Sequence, residues 1–154
     1  MSDPPLPHII APDEVETFLA GSVVRTVTYH RTSRFGAQSI LERGIDISRS
    51  RIGAYGQGFY TTTESDPFFG DVVVTLAVRL VSPLYGDENW VAEVVNHIAA
   101  RLGDRSGRIT PEVAAGIRQE LMNLGYDGIV VIDGGGDGID YVIALEERVV
   151  KVVS

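Results

Sequence analysis

The sequence predicts a single α+β domain with a mostly antiparallel β-sheet and flanking helices. Its length of 154 residues is typical of one domain. Segments rich in β-branched residues outnumber segments with helical spacing. Few successive strands have a helix between them, and parallel pairing of successive strands requires such a crossover. We therefore expect residues 1–154 to form one domain, with residues 1–10 as a flexible, proline-rich N-terminal segment.

The first half of the chain alternates between helical and extended patterns. Pro12 begins a short helix, because proline is tolerated in the first turn, and Gly21 ends it. Gly44 lies where a C-terminal cap belongs, after a helix over residues 36–43. The remaining predictions are strands over residues 23–30, 59–63 and 72–81, and a glycine-rich loop over residues 48–58.

The second half predicts two helices followed by strands. Residues 89–102 have apolar side chains at helical spacing, and Gly103 ends this helix. Thr110 is a favourable N-cap with Pro111 at the first helical position, and this second helix ends at Gly125. Strands are predicted over residues 129–132, 141–145 and 149–153, with a mobile glycine loop over residues 134–138.

Composition and charge exclude several classes of function. The formal net charge of −8 argues against nucleic-acid binding, which depends on phosphate neutralisation by Lys and Arg. The chain has no cysteine, which excludes disulfides and thiolate metal sites, and we expect no metal. Its apolar segments are far shorter than the ~20 residues of a membrane helix, and no signal peptide is visible. We expect a cytoplasmic protein, or an effector delivered into the cytoplasm of a target cell.

Three segments are candidates for chemistry. Residues 29–32 (YHRT) end a predicted strand on a histidine beside a cation and a hydroxyl. Residues 53–62 (GAYGQGFYTT) combine glycines, which allow close backbone approach, with an aromatic strand. Asp140 begins a late strand after the glycine loop. Taken singly, each segment is also consistent with a turn or a strand end of no special function.

Together, the three segments resemble the ADP-ribosyltransferase superfamily. Residues 29–32 are similar to its Y-H-G-T motif, with Arg31 in place of the glycine. Residues 56–62 are similar to its G-x-G-F-Y-x-T motif. Residues 125–129 (GYDGI) and 140–142 (DYV) are similar to its closing region, with Asp140 where many members have Glu. The resemblance covers roughly residues 28 to 153, is closest to an H-Y-D variant, and implies a split sheet.

The resemblance implies that the substrate is NAD⁺ and that the nicotinamide–ribose bond is cleaved. ADP-ribose would then be transferred to an acceptor, a protein or a small molecule that the sequence does not identify. The implied catalytic set is His30, Tyr60 and Asp140, with Tyr60 stacking on the nicotinamide and Asp140 stabilising the cationic transition state. We expect these three side chains to converge on one cleft. The implied NAD⁺-binding residues are His30, Arg31, Thr32, Arg34, Gly58, Tyr60 and Thr61, with Arg25 and Arg34 as candidates for the diphosphate.

Several alternatives remain open at this point. Glu64 is the nearest competitor to Asp140 as the essential acid. The same scaffold could use water as the acceptor and act as an NAD⁺ glycohydrolase. A relative that has lost the chemistry could bind a nucleotide or a protein partner. A plain α+β interaction domain would require three coincident motifs in the right order.

Overall fold

A computed structural model of the chain describes residues 7–49, 53–64, 72–103 and 109–154. These residues form one eight-stranded mixed sheet and four α-helices. The strands are β1 (Ile9–Ile10), β2 (Thr28–Thr32), β3 (Phe59–Thr62), β4 (Val72–Val78), β5 (Pro83–Asp87), β6 (Gly128–Gly136), β7 (Ile139–Ala144) and β8 (Val150–Val153). The helices are α1 (Val15–Phe18), α2 (Arg34–Arg43), α3 (Glu88–Arg101) and α4 (Pro111–Asn123).

The sheet has the strand order β1-β8-β4-β2-β3-β7-β6-β5. The pairs β1–β8 and β5–β6 are parallel, and the other neighbouring pairs are antiparallel. The prediction of an α+β fold with mostly antiparallel pairing is therefore confirmed. Among the described residues, no helix is long and apolar enough to cross a membrane.

The junction between β2 and β3 is the weakest connection in the middle of the sheet. One register pair, Tyr29 with Thr62, joins these two strands. By contrast, β2 pairs with β4 along its whole length, from Thr28 to Thr32. We call the β2–β3 junction the seam, because it divides the sheet into a β1-β8-β4-β2 half and a β3-β7-β6-β5 half.

Apolar residues on both faces of the sheet are buried. One face packs against α2, whose Ala37 joins Phe59, Leu76 and Val142 in a buried cluster. The other face packs against α3 and α4. Its buried cluster includes Val91, Val95, Ile117, Leu121, Ile129, Val131 and Ile143.

The three longer helices begin at side-chain caps, because an N-terminal turn leaves backbone N–H groups without helical acceptors. Ser33 Oγ accepts from Gly36 N at the start of α2. Asp87 Oδ1 accepts from Trp90 N at the start of α3. Thr110 Oγ1 accepts from Val113 N at the start of α4, with Pro111 in the first turn. The predicted Thr110–Pro111 helix start is confirmed.

Several predicted boundaries differ from the structure; the strand predicted over residues 72–81, for example, ends at Val78. The first strand runs from Thr28 to Thr32 instead of over residues 23–30, because Val23 N donates to Leu80 O and Val24 N donates to Ser22 Oγ. Residues 134–136 extend β6 and do not form a mobile loop, with Gly136 paired to Ile139. Ile9 and Ile10, at the end of the segment expected to be flexible, form β1 and pair in parallel with β8.

Two short strands were not predicted at all. β1 has two residues, which is too short to show an alternating pattern. β5 contains Pro83 and Gly86, residues that normally mark the end of a strand. It is the edge strand of the sheet, where such residues are tolerated.

Candidate functional site

The three candidate segments lie on adjacent strands. Residues 29–32 belong to β2, residues 59–62 to β3 and Asp140 to β7, and β3 lies between the other two. Thr62 of β3 is paired with Tyr29 of β2 on one side and with Tyr141 of β7 on the other. Segments far apart in the chain therefore share one patch of the sheet, at the seam.

His30 is held against β3 by its ring. The imidazole lies on the ring of Phe59, with centroids 4.4 Å apart. Its Nδ1 is 2.8 Å from the backbone oxygen of Tyr60. A carbonyl oxygen only accepts, so Nδ1 carries the proton and Nε2 is the free nitrogen of a neutral ring. Burial lowers the pKa of His30, and the hydrogen bond to Tyr60 opposes this shift in part.

Successive residues of β3 point to opposite faces of the sheet. Phe59 belongs to the buried cluster that includes Ala37 of α2, and it contacts His30. Tyr60 packs against the cluster formed by α3 and α4. We call these surfaces the His30 face and the Tyr60 face. The prediction that the two side chains converge on one cleft is therefore wrong.

Tyr60 organises the glycine-rich turn that precedes it. Its hydroxyl donates to Gly56 O at 2.7 Å and accepts from Tyr55 N at 3.1 Å. The ring lies so close to Gly53 that a Cβ at that position would overlap it. Burial raises the pKa of Tyr60 to about 12, so the hydroxyl stays protonated at neutral pH. The Tyr60 ring accounts for the glycine at 53, and a φ of 98° accounts for the glycine at 56, in both cases without a ligand.

Asp140 is fixed at the start of β7 by its neighbours. Its backbone N donates to Thr63 Oγ1 at 3.0 Å, and Thr63 N donates to Asp140 O at 3.1 Å. Its carboxylate Oδ1 accepts from Asp133 N at 2.8 Å. Oδ2 has no hydrogen-bond partner among the described residues. By strand alternation Asp140 lies on the His30 face, since Val142 and Ala144 belong to that face.

Asp133 supports this arrangement from within β6. Its φ angle is 57°, a left-handed conformation that is uncommon outside glycine. Its Oδ1 accepts from Gly138 N at 2.6 Å, which closes the hairpin between β6 and β7. Sequence reasoning did not select Asp133 or Thr63. The usable signal was an aspartate before a glycine run, because aspartate tolerates positive φ and binds nearby backbone N–H groups.

His30 and Asp140 share a face but are not in contact. They are two strands and two residues apart in the sheet, which corresponds to about 12 Å between their Cα atoms. Glu64 is exposed just beyond β3, next to the Thr63–Asp140 pair. The segment that follows it, residues 65–71, lies outside the described residues.

Two of the predicted NAD⁺-binding residues, Thr61 and Gly58, have structural roles. Thr61 is buried, and its Oγ1 donates to Val142 O at 2.7 Å. Gly58 is required for packing, because a Cβ there would lie 2.6 Å from Ile143 Cγ2. Neither residue presents a polar side-chain atom to a cleft.

The remaining predicted binding residues lie in β2 or just beyond one of its two ends. Arg31 is half-buried and lies, by alternation, on the Tyr60 face. Thr32 packs against Gly36 at the start of α2. Arg34 and Arg25 are exposed, beyond opposite ends of the strand. No single surface therefore collects all of these groups.

The GYDGI segment has a structural function. Asp127 accepts from Val81 N at 2.7 Å and from Ser82 N at 3.1 Å, which fixes the turn before β5. A Cβ at Gly128 would lie 2.5 Å from Leu80 Cδ2, so the strand start requires glycine. The segment belongs to the fold and not to the candidate site.

Two cavities of about 180 and 250 Å³ lie away from the seam. The smaller is bordered by Arg79, Asp127 and Arg148, and the larger by side chains of α3 and by Leu124. Within the described ranges, no group of three or more His, Asp or Glu side chains could hold a metal ion. Comparison of the chain with protein-family models, with curated proteins and with solved structures finds no match.

Proposed function

We propose that this domain binds NAD⁺ and cleaves its nicotinamide–ribose bond, with transfer of ADP-ribose to an acceptor. The observation that carries this proposal is the adjacency of the three candidate segments on β2, β3 and β7. These segments are far apart in the chain, yet they lie on three consecutive strands of the sheet. The order of these segments in the chain is the one on which the resemblance to ADP-ribosyltransferases rests.

In this reaction, side chains on the two faces of the sheet have different functions. Asp140 supplies the carboxylate, because its Oδ1 is fixed by Asp133 N while Oδ2 has no partner among the described residues. A fixed negative charge stabilises the cationic ribose as the bond to nicotinamide breaks. The bonding electrons leave with the nicotinamide, which becomes neutral, and the acceptor attacks C1′ and loses its proton.

His30 and Tyr60 act as positioning residues in this proposal. The His30 ring holds β2 to β3 where the main-chain pairing has ended, through Tyr60 O. Its neutral Nε2 remains able to accept a hydrogen bond from a ribose hydroxyl. Tyr60 shapes the turn at residues 53–56 from the other face. The proposal does not include the expected stacking of the Tyr60 ring on the nicotinamide.

A second candidate, nucleotide binding without cleavage, is favoured by one observation. Both Tyr60 Oη and His30 Nδ1 are engaged by backbone groups of the domain itself. A family member that has lost its chemistry would keep such contacts for stability alone. Asp140 is the residue that separates the two candidates.

The test is incubation of the protein with NAD⁺ and measurement of free nicotinamide, ADP-ribose and protein-bound ADP-ribose. We expect nicotinamide release, and ADP-ribose attached to protein identifies transfer whereas free ADP-ribose identifies hydrolysis. Calorimetric titration with NAD⁺ is the matched measurement. Binding without nicotinamide release supports the second candidate, and absence of both overturns the proposal.

A further inference from the structure

The outer side of β5 is an open edge of the sheet. β5 is the last strand in the sheet order, and within the described part of the chain it pairs with β6 alone. Ser82 O accepts from Asp127 N at 3.1 Å, so this backbone group faces β6. Because backbone groups alternate in direction along a strand, those of Leu84 and Gly86 also face β6, whereas those of Pro83 and Tyr85 face outward.

These outward backbone groups are available to another strand. Tyr85 presents both an N–H and a C=O at the edge, and Pro83 presents a C=O. Proline has no N–H, and an outward position on an edge strand is where it is tolerated in a sheet. A strand added beside β5 would therefore find two acceptors and one donor already held in an extended conformation.

Each face of this edge has an exposed aromatic side chain. Tyr85 is 53% exposed and lies on the His30 face, because its register partner Val130 belongs to the buried cluster of that face. Trp90 is 51% exposed, and its ring covers Gly86 on the Tyr60 face. Successive side chains of an added strand point to opposite faces, so they would contact the tyrosine and the tryptophan in turn.

The charge around this edge has one sign. No Lys or Arg occurs in β5, β6 or β7, or in α3 before Arg101. Asp87 and Glu88 are exposed at the end of β5. Asp133 is exposed beside them, since it follows the residue of β6 that pairs with Asp87. A negatively charged edge attracts a positively charged partner and repels an acidic one.

We propose that β5 binds an extended, lysine- or arginine-rich segment of another polypeptide as an additional strand of the sheet. In recognition of this kind, main-chain hydrogen bonds supply affinity, and side chains at alternate positions supply specificity. Here the hydrogen bonds come from Pro83 and Tyr85, and the acidic end of β5 selects basic side chains. The surface is separate from the seam, and binding does not involve NAD⁺.

The charge of the chain argues against a second copy as the occupant of this edge. Each copy has a formal net charge of −8. Pairing of β5 with β5 would bring two equally acidic surfaces together, and like charges repel across such a contact. A basic segment has the opposite charge and encounters no such repulsion.

The experiment is a titration of the protein with a peptide of alternating Lys and Val. Trp90 is the only tryptophan of the chain, and its ring lies on β5, so its fluorescence reports binding at the edge. We expect a saturable change with this peptide and none with the matching peptide of Glu and Val. The Lys–Val peptide with every backbone amide N-methylated keeps its charge but cannot pair as a strand, and we expect at least about tenfold weaker binding.

Two pairs of variants test the protein side of the contact. Tyr85→Pro removes the outward N–H, whereas Tyr85→Val removes the same ring and keeps the N–H. We expect the dissociation constant of the Lys–Val peptide to be about tenfold higher for Tyr85→Pro than for Tyr85→Val. Glu88→Lys should weaken peptide binding, and Glu42→Lys, which makes the same change in net charge on α2, should leave it nearly unchanged. Circular dichroism checks that each variant is folded.

Several outcomes would overturn this assignment. Equal binding of the N-methylated and unmodified peptides would show that charge alone attracts the peptide. Absence of binding by the Lys–Val peptide excludes a basic partner at this edge. A wild-type dimer in sedimentation equilibrium that Tyr85→Pro dissociates would show that a second copy occupies β5 instead. None of these measurements uses NAD⁺, so the edge contact and the proposed function succeed or fail independently.

Discussion

The two faces of the sheet at the seam use their polar side chains differently. On the Tyr60 face, the phenol hydroxyl makes two hydrogen bonds within its own turn. On the His30 face, the imidazole makes one hydrogen bond to Tyr60 O and Asp140 makes one to Asp133 N. His30 and Asp140 each keep a further polar atom without a partner among the described residues. Residues of neighbouring strands that lie on opposite faces can therefore divide between support and chemistry.

The largest expected effect concerns Asp140. Asp140→Asn keeps the size of the side chain and its contact with Asp133 N but removes the negative charge. Losing one well-placed electrostatic stabiliser typically costs a factor of ~10² to 10³ in rate. We expect nicotinamide release to fall by that factor while the NAD⁺ affinity measured by calorimetry stays nearly constant, because the charge acts mainly in the transition state.

Glu64→Gln is the matched control for this variant. Glu64 lies beside the Thr63–Asp140 pair but is exposed. Normal turnover by Asp140→Asn together with an inactive Glu64→Gln would move the chemistry to Glu64. It would also show that the His30 face is not the reactive one.

A smaller effect is expected at Asp133, which positions Asp140 without contacting substrate. Asp133→Ala loses the hydrogen bond to Gly138 N and places alanine at φ 57°. We expect a loss of about 1–2 kcal/mol in the free energy of unfolding and a nicotinamide release rate lower by about tenfold.

Asp133→Asn should rescue both quantities. Asparagine tolerates the left-handed conformation and retains an oxygen that accepts from Gly138 N. Urea denaturation and the nicotinamide assay measure the two effects separately. Equal losses in both variants would mean that the carboxylate charge of Asp133, and not its geometry, matters.

Tyr60→Phe probes the supporting face. It removes the hydroxyl that bridges Tyr55 N and Gly56 O, and we expect the free energy of unfolding to fall by about 1–2 kcal/mol in urea denaturation. Catalysis by the folded fraction should change little. A Tyr60→Phe protein that is fully stable but no longer binds NAD⁺ would show that Tyr60 belongs to the NAD⁺-binding site.

The smallest effect is a pH dependence from His30. The pKa of His30 is about 6.5 in the unfolded chain and lower in the folded domain. Between these two pKa values the unfolded chain therefore binds more protons than the folded domain. The resulting stability is fully present above the unfolded pKa and is lost as pH falls toward the lower folded pKa. The free energy of unfolding should therefore decline more steeply between pH 7.5 and 5 in the wild type than in His30→Gln. Parallel curves would contradict the neutral, half-buried imidazole.

The sequence predicted most elements of the fold because their signals are local. Thr110 and Pro111 begin α4 as expected, and residues 59–62 form β3. Positions decided by tertiary pairing were missed. β1 exists only through β8, and Gly136 belongs to β6 because it pairs with Ile139 of β7. The glycine content of residues 134–138 alone favours a loop there.

The sequence predicted which strands carry the candidate site, but it did not predict which face of the sheet each side chain occupies. His30, Tyr60 and Asp140 do meet on neighbouring strands. Which face each side chain occupies depends on the register across the seam, and register is fixed by pairings between distant segments. The pairing of Tyr29 with Thr62 sets that register, and no local sequence pattern predicts this pairing.

The position of β8 has a consequence for synthesis on the ribosome. This strand lies between β1 and β4 in the sheet, although it is made of residues Val150–Val153. Leu76 and Val78 of β4 pair with Val152 and Val150, so that edge of β4 has no native partner until the last strand has left the exit tunnel. An apolar, unpaired edge is prone to association with other chains. Nascent copies of this protein should therefore depend on chaperones until translation has passed β8.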